Sequence, residues 1–267
     1  MPLGLATQLS MSTSTASRVR WQWPQTGIQY DQKANKMNLN IFSGGAAQAV
    51  VTGLQHEFEQ THGCKLVPTF GAVGAMRDRL VDGEPCDLLV LSASLIDQLM
   101  AQGRVVQDSA RVLGRVATGI AVPVGATSID VRSAVSLKAA LSAARGVYVP
   151  DLRKSTAGIH IARMLAALGL DDVLAGRIRE YPNGATAMRE LAKNGSDGMV
   201  GCTQVTEIMY TPGVQLVGEL PAEHALSTIY TAAVCSQAQQ PALAEQLAQV
   251  LSGEASVTLR RRSGFGV

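Results

Sequence analysis

Long apolar runs, paired cysteines, export signals and aromatic side chains are what this sequence lacks. No stretch approaches the roughly 18 continuous apolar residues that a membrane span needs, so no span is expected. Aromatic residues are 4% of the chain while hydrophobic residues are 46%, with small aliphatics and 26 glycines prominent. That balance suits α/β packing better than a β-sandwich built on large rings. Four cysteines, Cys64, Cys86, Cys202 and Cys235, form no C-x-x-C pair and lie in or beside apolar segments. They read as reduced, buried thiols. His56, His62, His160 and His224 make no ligand cluster with them, so neither zinc nor any other metal or cofactor is expected. A net charge of +2 is too balanced to point to nucleic acid. The one dense basic run, Arg260-Arg261-Arg262, reads as the solvated last turn of a helix.

The N-terminus carries no basic residue ahead of its short apolar stretch Pro2–Leu9, so no export signal is visible. Residues 1–36 are polar and irregular and read as a disordered extension, with a cytoplasmic location following. A start at Met37, directly before the first strand pattern, would reopen a periplasmic one.

What is present is a repeated strand, turn and helix. Leu39–Phe42 reads as a buried strand, and Ala47, Val50, Leu54 and Phe58 recur at helical spacing until Gly63 ends the helix. Strands are expected at Cys64–Phe70, Asp87–Leu91, Val116–Val122, Gly146–Val149, Met199–Gly201, Val214–Val217 and Leu226–Cys235. Helices are expected through Met76 and Leu80, after a Ser94–Asp97 capping box, from Ser136 as cap to Arg145, over Ser155–Leu168 to Gly169, over Thr186–Lys193 and over Pro241–Leu251. The pattern predicts an α/β fold with a mainly parallel sheet and helices on both faces.

In open α/β sheets ligands sit beyond the carboxyl ends of the strands. Three turns there carry suitable chemistry: Ser43-Gly44-Gly45, Gly71-Ala72-Val73-Gly74 with Arg77 a helical turn on, and the stretch from Arg153 to Gly158 containing Ser155 and Thr156. Glycines allow close backbone approach, and helix starts offer unpaired N–H groups with a positive dipole end, so converging turns would hold an anion. Neither a dinucleotide fingerprint, a P-loop nor a nucleophile elbow is present. His160, one turn into the third helix, is either a packed histidine or a base facing the cleft. Gln204 could hydrogen-bond a carboxylate or cap its own turn, and Glu207 reads as a helix-face carboxylate.

These turns, in this order, resemble the molybdate-binding-protein branch of the type II periplasmic solute-binding proteins, which also includes aconitate isomerase-like proteins. The likeness spans about Asn38 to Val267. It rests on the opening strand and turn, on HEFEQTHGCKLVPTFGAVGAMRDRLVDGEPCDLLVLSAS (56–94), on STAGIHIARML (155–165) and on RRSGFGV (261–267). It implies a two-lobed fold with the ligand cleft between the lobes: 37–118 plus 227–267 as one lobe, 119–226 as the other, crossings near Thr118–Val122 and Ser227–Val234. Where molybdate binders place serine hydroxyls in the first two turns, this chain has Ala46, or a neighbour within 43–47, and Ala72 or Val73; Gly201 replaces an expected tyrosine. Each lost donor to a tetrahedral oxyanion costs about 1–3 kcal/mol. Arg77, Ser155, Thr156 and Gln204 suit planar carboxylates better.

Two functions follow from the resemblance. One is a clamshell that closes on a small organic anion, a di- or tricarboxylate rather than molybdate, and serves a transporter permease if exported. The other is a cofactor-free isomerase that shifts a C=C bond by proton transfer, with His160 as base, Ser43 and Ser155 as orienting hydroxyls, and helix starts stabilising the developing charge.

Overall fold

A computed structural model describes residues 37–267; the expectation for residues 1–36 lies outside the described residues. The chain runs β1 (Met37–Gly44), α1 (Gln48–His62), β2 (Cys64–Gly71), α2 (Val73–Val81), β3 (Leu88–Ser92), α3 (Ala93–Ala101) and β4 (Arg111–Pro123). It continues through α4 (Ala134–Ala143), β5 (Gly146–Pro150), α5 (Thr156–Ala167), β6 (Ile178–Tyr181), α6 (Gly184–Asn194), β7 (Met199–Gln204), α7 (Val205–Tyr210) and β8 (Val214–Glu219). It ends with β9 (Ser227–Val234), α8 (Pro241–Ser252) and α9 (Val257–Arg262). A short 3-10 turn, Gly45–Ala47, joins β1 to α1.

The strands are ordered β2-β1-β3-β9-β4-β7-β5-β6, with β8 also on β4. Neighbours are parallel at β1/β2, β1/β3, β5/β6 and β5/β7. β4 and β9 run antiparallel to every strand they pair with. The sheet is therefore mixed rather than mainly parallel, because two long strands return between the parallel groups. β4 changes partners along its length: Arg111–Ala117 pairs with β9, and Thr118–Pro123 pairs with β7 and β8.

The apolar core divides at that change. One cluster gathers β1, β3, α1 and α8 around Ile41, Leu89, Val50 and Leu247. Others gather β5, α5, α6 and β7 around Val147, Ile161, Met188 and Cys202. β3, Leu-Leu-Val-Leu-Ser, is buried along its whole length, which fits a strand covered on both faces. Gly63 ends α1 at φ 63°, the left-handed cap its position suggested.

Two buried charges tie the first core. Asp87, 1% exposed, accepts from the backbone N–H groups of Asn40 (2.7 Å), Gln239 (2.6 Å) and Gln240 (3.0 Å), joining β1 to the start of α8. Arg260 is 5% exposed rather than solvated, and only Arg261 and Arg262 face water. Its guanidinium donates to the carbonyls of Leu113, Ser252 (2.7 Å) and Gly253 (2.9 Å) and to Ser256 Oγ (3.0 Å). It thereby supplies partners for carbonyls that the end of α8 cannot satisfy itself.

Two expected caps move. α4 starts at Ser133, whose side chain and that of Ser136 bond each other's backbone N–H, so Ser136 is the third residue of the box. α3 starts after Ser92, and its cap side chain bonds no helix N–H. All four cysteines are buried and none is in a disulfide. Burial alone pushes the Cys202 thiol up to about 12. Among the described residues no helix is long and apolar enough to cross a membrane.

Candidate functional site

Five helix starts meet at one cavity. Gly45 brings the 3-10 turn that leads into α1; Ala72 and Val73 begin α2; Ser155 and Thr156 begin α5. Asn183 caps α6 and Gln204 precedes α7. Three of these starts are the turns singled out in the sequence. The first two belong to the first core and the others to the second, and the Gly74 N–H donates to the Lys154 carbonyl at 3.0 Å across the gap. Among the described residues no Lys or Arg lines the cavity, so what attraction it has for an anion comes from backbone amides. The enclosed space is about 10 Å³. That holds about one water molecule, so a guest of several heavy atoms must part the two halves to enter.

One ionisable carboxyl lines this cavity. Glu207 is 5% exposed, and its Oε2 accepts from the Thr203 hydroxyl at 2.6 Å. Backbone N–H groups of Ala185, at the start of α6, and of Gln204 also favour its charged form. The carboxylate therefore caps two helices at once, and its reach back to Gln204 is one half of a capping box. Two glycines make room for it. A Cβ on Gly45 would lie 2.3 Å from Oε1, and one on Gly184 would lie 1.9 Å from Oε2. Gly45 and Glu207 belong to opposite halves of the fold, so this carboxyl bridges the cleft. Burial raises its pKa above the ordinary carboxylate value, against the pull of Thr203 and the two amides.

Tyr230, on β9, donates its hydroxyl to Gln204 Oε1 at 2.8 Å. Gln204 makes no side-chain cap to α7, and its amide oxygen accepts from the tyrosine instead, with no hydrogen-bond partner for its amide nitrogen among the described residues. Burial first, and the Glu207 charge second, hold the Tyr230 phenol well above its usual range. Phe265 packs edge-on against this ring, with centroids 6.2 Å apart.

Outside the cavity lies a wider groove of about 530 Å³, which shares Val73 and Thr156 with it. Arg77 and His160 are in this groove. Arg77 is paired with Asp78 at 2.6 Å. His160 Nε2 donates to the His224 carbonyl at 2.7 Å. Ser43 is fully buried, and its hydroxyl donates to the Gly44 carbonyl at 3.0 Å.

The sequence matches, over residues 39–266, a family described as bacterial extracellular solute-binding protein. The chain belongs to that family. A curated relative, an aconitate isomerase from a Pseudomonas species, is 28% identical over 233 residues, covering 85% of this chain and 87% of the relative. Among solved structures, the periplasmic molybdate-binding protein of Azotobacter vinelandii superposes with a TM-score of 0.70 at 18% identity, covering 86% and 99% of the two chains. The sulfate-binding protein of Mycobacterium tuberculosis gives 0.66 at 16%, covering 86% of each. At these identities the structures establish the fold alone: two α/β lobes with a cleft between them.

Within this member of the family the structure brings together Gly45, Ala72, Val73, Ser155, Thr156 and Gln204 from the expected set. Gly44 stands just behind, where a Cβ would meet Val73 and the Tyr230 ring. Ser43 turns into the sheet, and Arg77 and His160 stand in the outer groove. Ser155 Oγ accepts from the Gly158 N–H at 3.4 Å as the cap of α5. Asn183, Glu207 and Tyr230 were not foreseen as site residues. Glu207, read as a helix-face carboxylate, is instead enclosed, because Gly45 and Gly184 leave it a recess.

Proposed function

We propose that this protein closes its cleft on a small organic anion, a di- or tricarboxylate in preference to molybdate. The observation that carries the reading is the convergence of helix starts on a cavity that, among the described residues, no cationic side chain lines. Amides arranged this way bind a carboxylate without a salt bridge. Ala72 and Val73 offer no hydroxyl to a tetrahedral oxyanion, and with either class of anion the Glu207 carboxyl must hold a proton to avoid repelling the guest. The lobes are proposed to divide as 37–118 plus 227–267 and 119–226, with β4 and β9 as the connections that bend. In the capture reading the protein works outside the cytoplasm, as its family's description has it, and passes the anion to a membrane permease.

The test is a thermal-shift and calorimetric comparison of molybdate, fumarate and trans-aconitate. The carboxylates are expected to raise the melting temperature while molybdate leaves it unchanged. A shift by molybdate alone refutes the reading. Titration in buffers of different ionisation enthalpy should also show a proton taken up on binding, as the guest's charge drives Glu207 further toward its neutral form.

One observation favours a second reading, isomerisation of a C=C bond. Glu207 is an ionisable group inside the cavity, with a raised pKa, in a relative of an aconitate isomerase. In this reading Glu207 must stay ionised beside its substrate, so that the carboxylate takes a proton from an allylic carbon and returns it one bond away while amides stabilise the intermediate charge, and proton uptake on binding would count against it. His160, the base expected from the sequence, has Nε2 committed to the His224 carbonyl and stands outside the cavity. Incubation with trans-aconitate, followed by ultraviolet absorbance, decides between capture and turnover. Turnover that survives Glu207→Gln would remove this residue from the chemistry.

A further inference from the structure

We propose that the basic groove outside the cavity is a second anion subsite, which takes the further carboxylates of a ligand whose first carboxylate lies against the helix starts. This rests on the reading of the inner cavity given above and specifies its ligand: an acid with at least two carboxylates spaced by a short carbon chain.

Continuity is the first support. Val73 and Thr156 line both spaces, so a ligand passing between them leaves one and enters the other. Size is the second. The inner space admits about one water, whereas the groove, at about 530 Å³, is in the range of small-molecule sites. Most of a branched acid would have to sit outside the helix starts unless the cleft opened widely.

Charge is the third. Arg77, Arg153, Lys154 and Arg163 all line the groove, against one carboxylate, Asp78. Asp78 is already shared by Arg77 at 2.6 Å and Lys154 at 3.5 Å, and these two cations hold its carboxyl below the usual range. The side chains of Arg153 and Arg163 are exposed and have no hydrogen-bond or ion-pair partner among the described residues. Arg163 follows His160 by three residues on α5, so both lie on one face of that helix. A cleft with an unbalanced sign concentrates anions and speeds their approach. An arginine fork also matches a carboxylate's two oxygens, which a lone lysine does not.

The groove draws on both lobes. Arg77, Asp78 and Gln98 come from α2 and α3, while Arg153 and Lys154 come from the approach to α5 and Arg163 from its second half. A ligand that bridges them adds a tie beyond the Gly74–Lys154 hydrogen bond, so its outer carboxylates would help hold the cleft shut. A single inorganic oxyanion would tie the two halves at the helix starts alone and would leave the groove unbridged.

The test measures calorimetric affinity for acrylate, fumarate and trans-aconitate, with one, two and three carboxylates, in the wild type and in the Arg153→Ala/Arg163→Ala double variant. Both side chains are exposed and unbonded, so the fold should persist; Arg163→Ala alone serves as a second variant. The wild type should bind the three acids with affinity rising with carboxylate number. The double variant should weaken trans-aconitate roughly tenfold or more, and acrylate by less than about twofold. Added salt should reduce the wild type's preference for trans-aconitate. Unchanged trans-aconitate affinity, or equal losses for all three acids, overturns the groove subsite and leaves the inner site standing. A wild type that binds none of the acids overturns the inner site as well.

Discussion

Asp87 and Glu207 are both buried carboxyls that receive donors at a helix start, yet they do different work. Asp87 draws its three backbone donors, Asn40, Gln239 and Gln240, from elements of a single core. Glu207 draws on Thr203, Ala185 and Gln204, from β7 and the starts of α6 and α7, and lies against Gly45 of the turn after β1. The counts of donors are alike. What differs is whether the group faces only its own core or also a cavity that must open. A saturated carboxylate inside one core acts as a staple. The same group at a cleft becomes sensitive to anything that enters, because an arriving negative charge changes the cost of keeping its own.

The contrast can be broken most decisively at Asp87. Asp87→Ala orphans three amides and should cost about 3 kcal/mol or more, read as a large fall in melting temperature by scanning calorimetry. A loss under about 1 kcal/mol would mean that water replaces the carboxylate and that the staple is unimportant. Tyr230→Phe is expected to be intermediate. It leaves Gln204 Oε1 without its donor, at about 1–2 kcal/mol, and should weaken ligand binding by releasing the Gln204 amide. Glu207→Gln should change stability least, within about 1 kcal/mol at neutral pH, since an amide keeps an acceptor for Thr203 without the burial cost of charge.

The pH dependence of that last variant sharpens the comparison. Burial raises the folded-state pKa of Glu207 above its ordinary value of 4.5, so the folded protein holds the proton longer than the unfolded chain. The stability this confers is complete below the unfolded value and is lost as pH rises through the folded one. Relative to Glu207→Gln, the wild type should therefore lose melting temperature as pH climbs from acid toward neutrality. A difference that stays flat with pH would show a carboxyl that water reaches freely.

Much of the fold was readable because its signals are local. Gly63 ends α1 where a left-handed cap was expected, and the glycine and small-residue turns after β1, β2 and β5 do meet. Family resemblance supplied the two lobes, which periodicity alone could not. Among the short elements β6, with two exposed residues in four, was missed, while the six-residue α7 and α9 carry too few periodic positions to bound and were read only from Glu207 on a helix face and from Arg260–Arg262 as a last helical turn. The site was half legible. Glu207 becomes a site residue only because Gly184 and the distant Gly45 withhold a Cβ, which no local pattern reports. A hint existed in its spacing, three residues after the Gln204 that precedes α7. Asn183-Gly184 at the start of α6 was a similar hint. Arg260 was misread for a related reason: Leu113, whose carbonyl it serves on β4, lies far off in sequence, and the carbonyls of Ser252 and Gly253 at the end of α8 come within reach only because the chain turns back there.

That β9, α8 and Arg260 complete the first core has a consequence for synthesis. On the ribosome the strand that lies between β3 and β4 is missing until residue 227 has been made, although its neighbours emerge early. The elements from β5 to β8, contiguous in the chain, can settle first. The nascent protein thus carries an unfinished half for most of its translation, and a premature stop near the end would strand the portion that was born first.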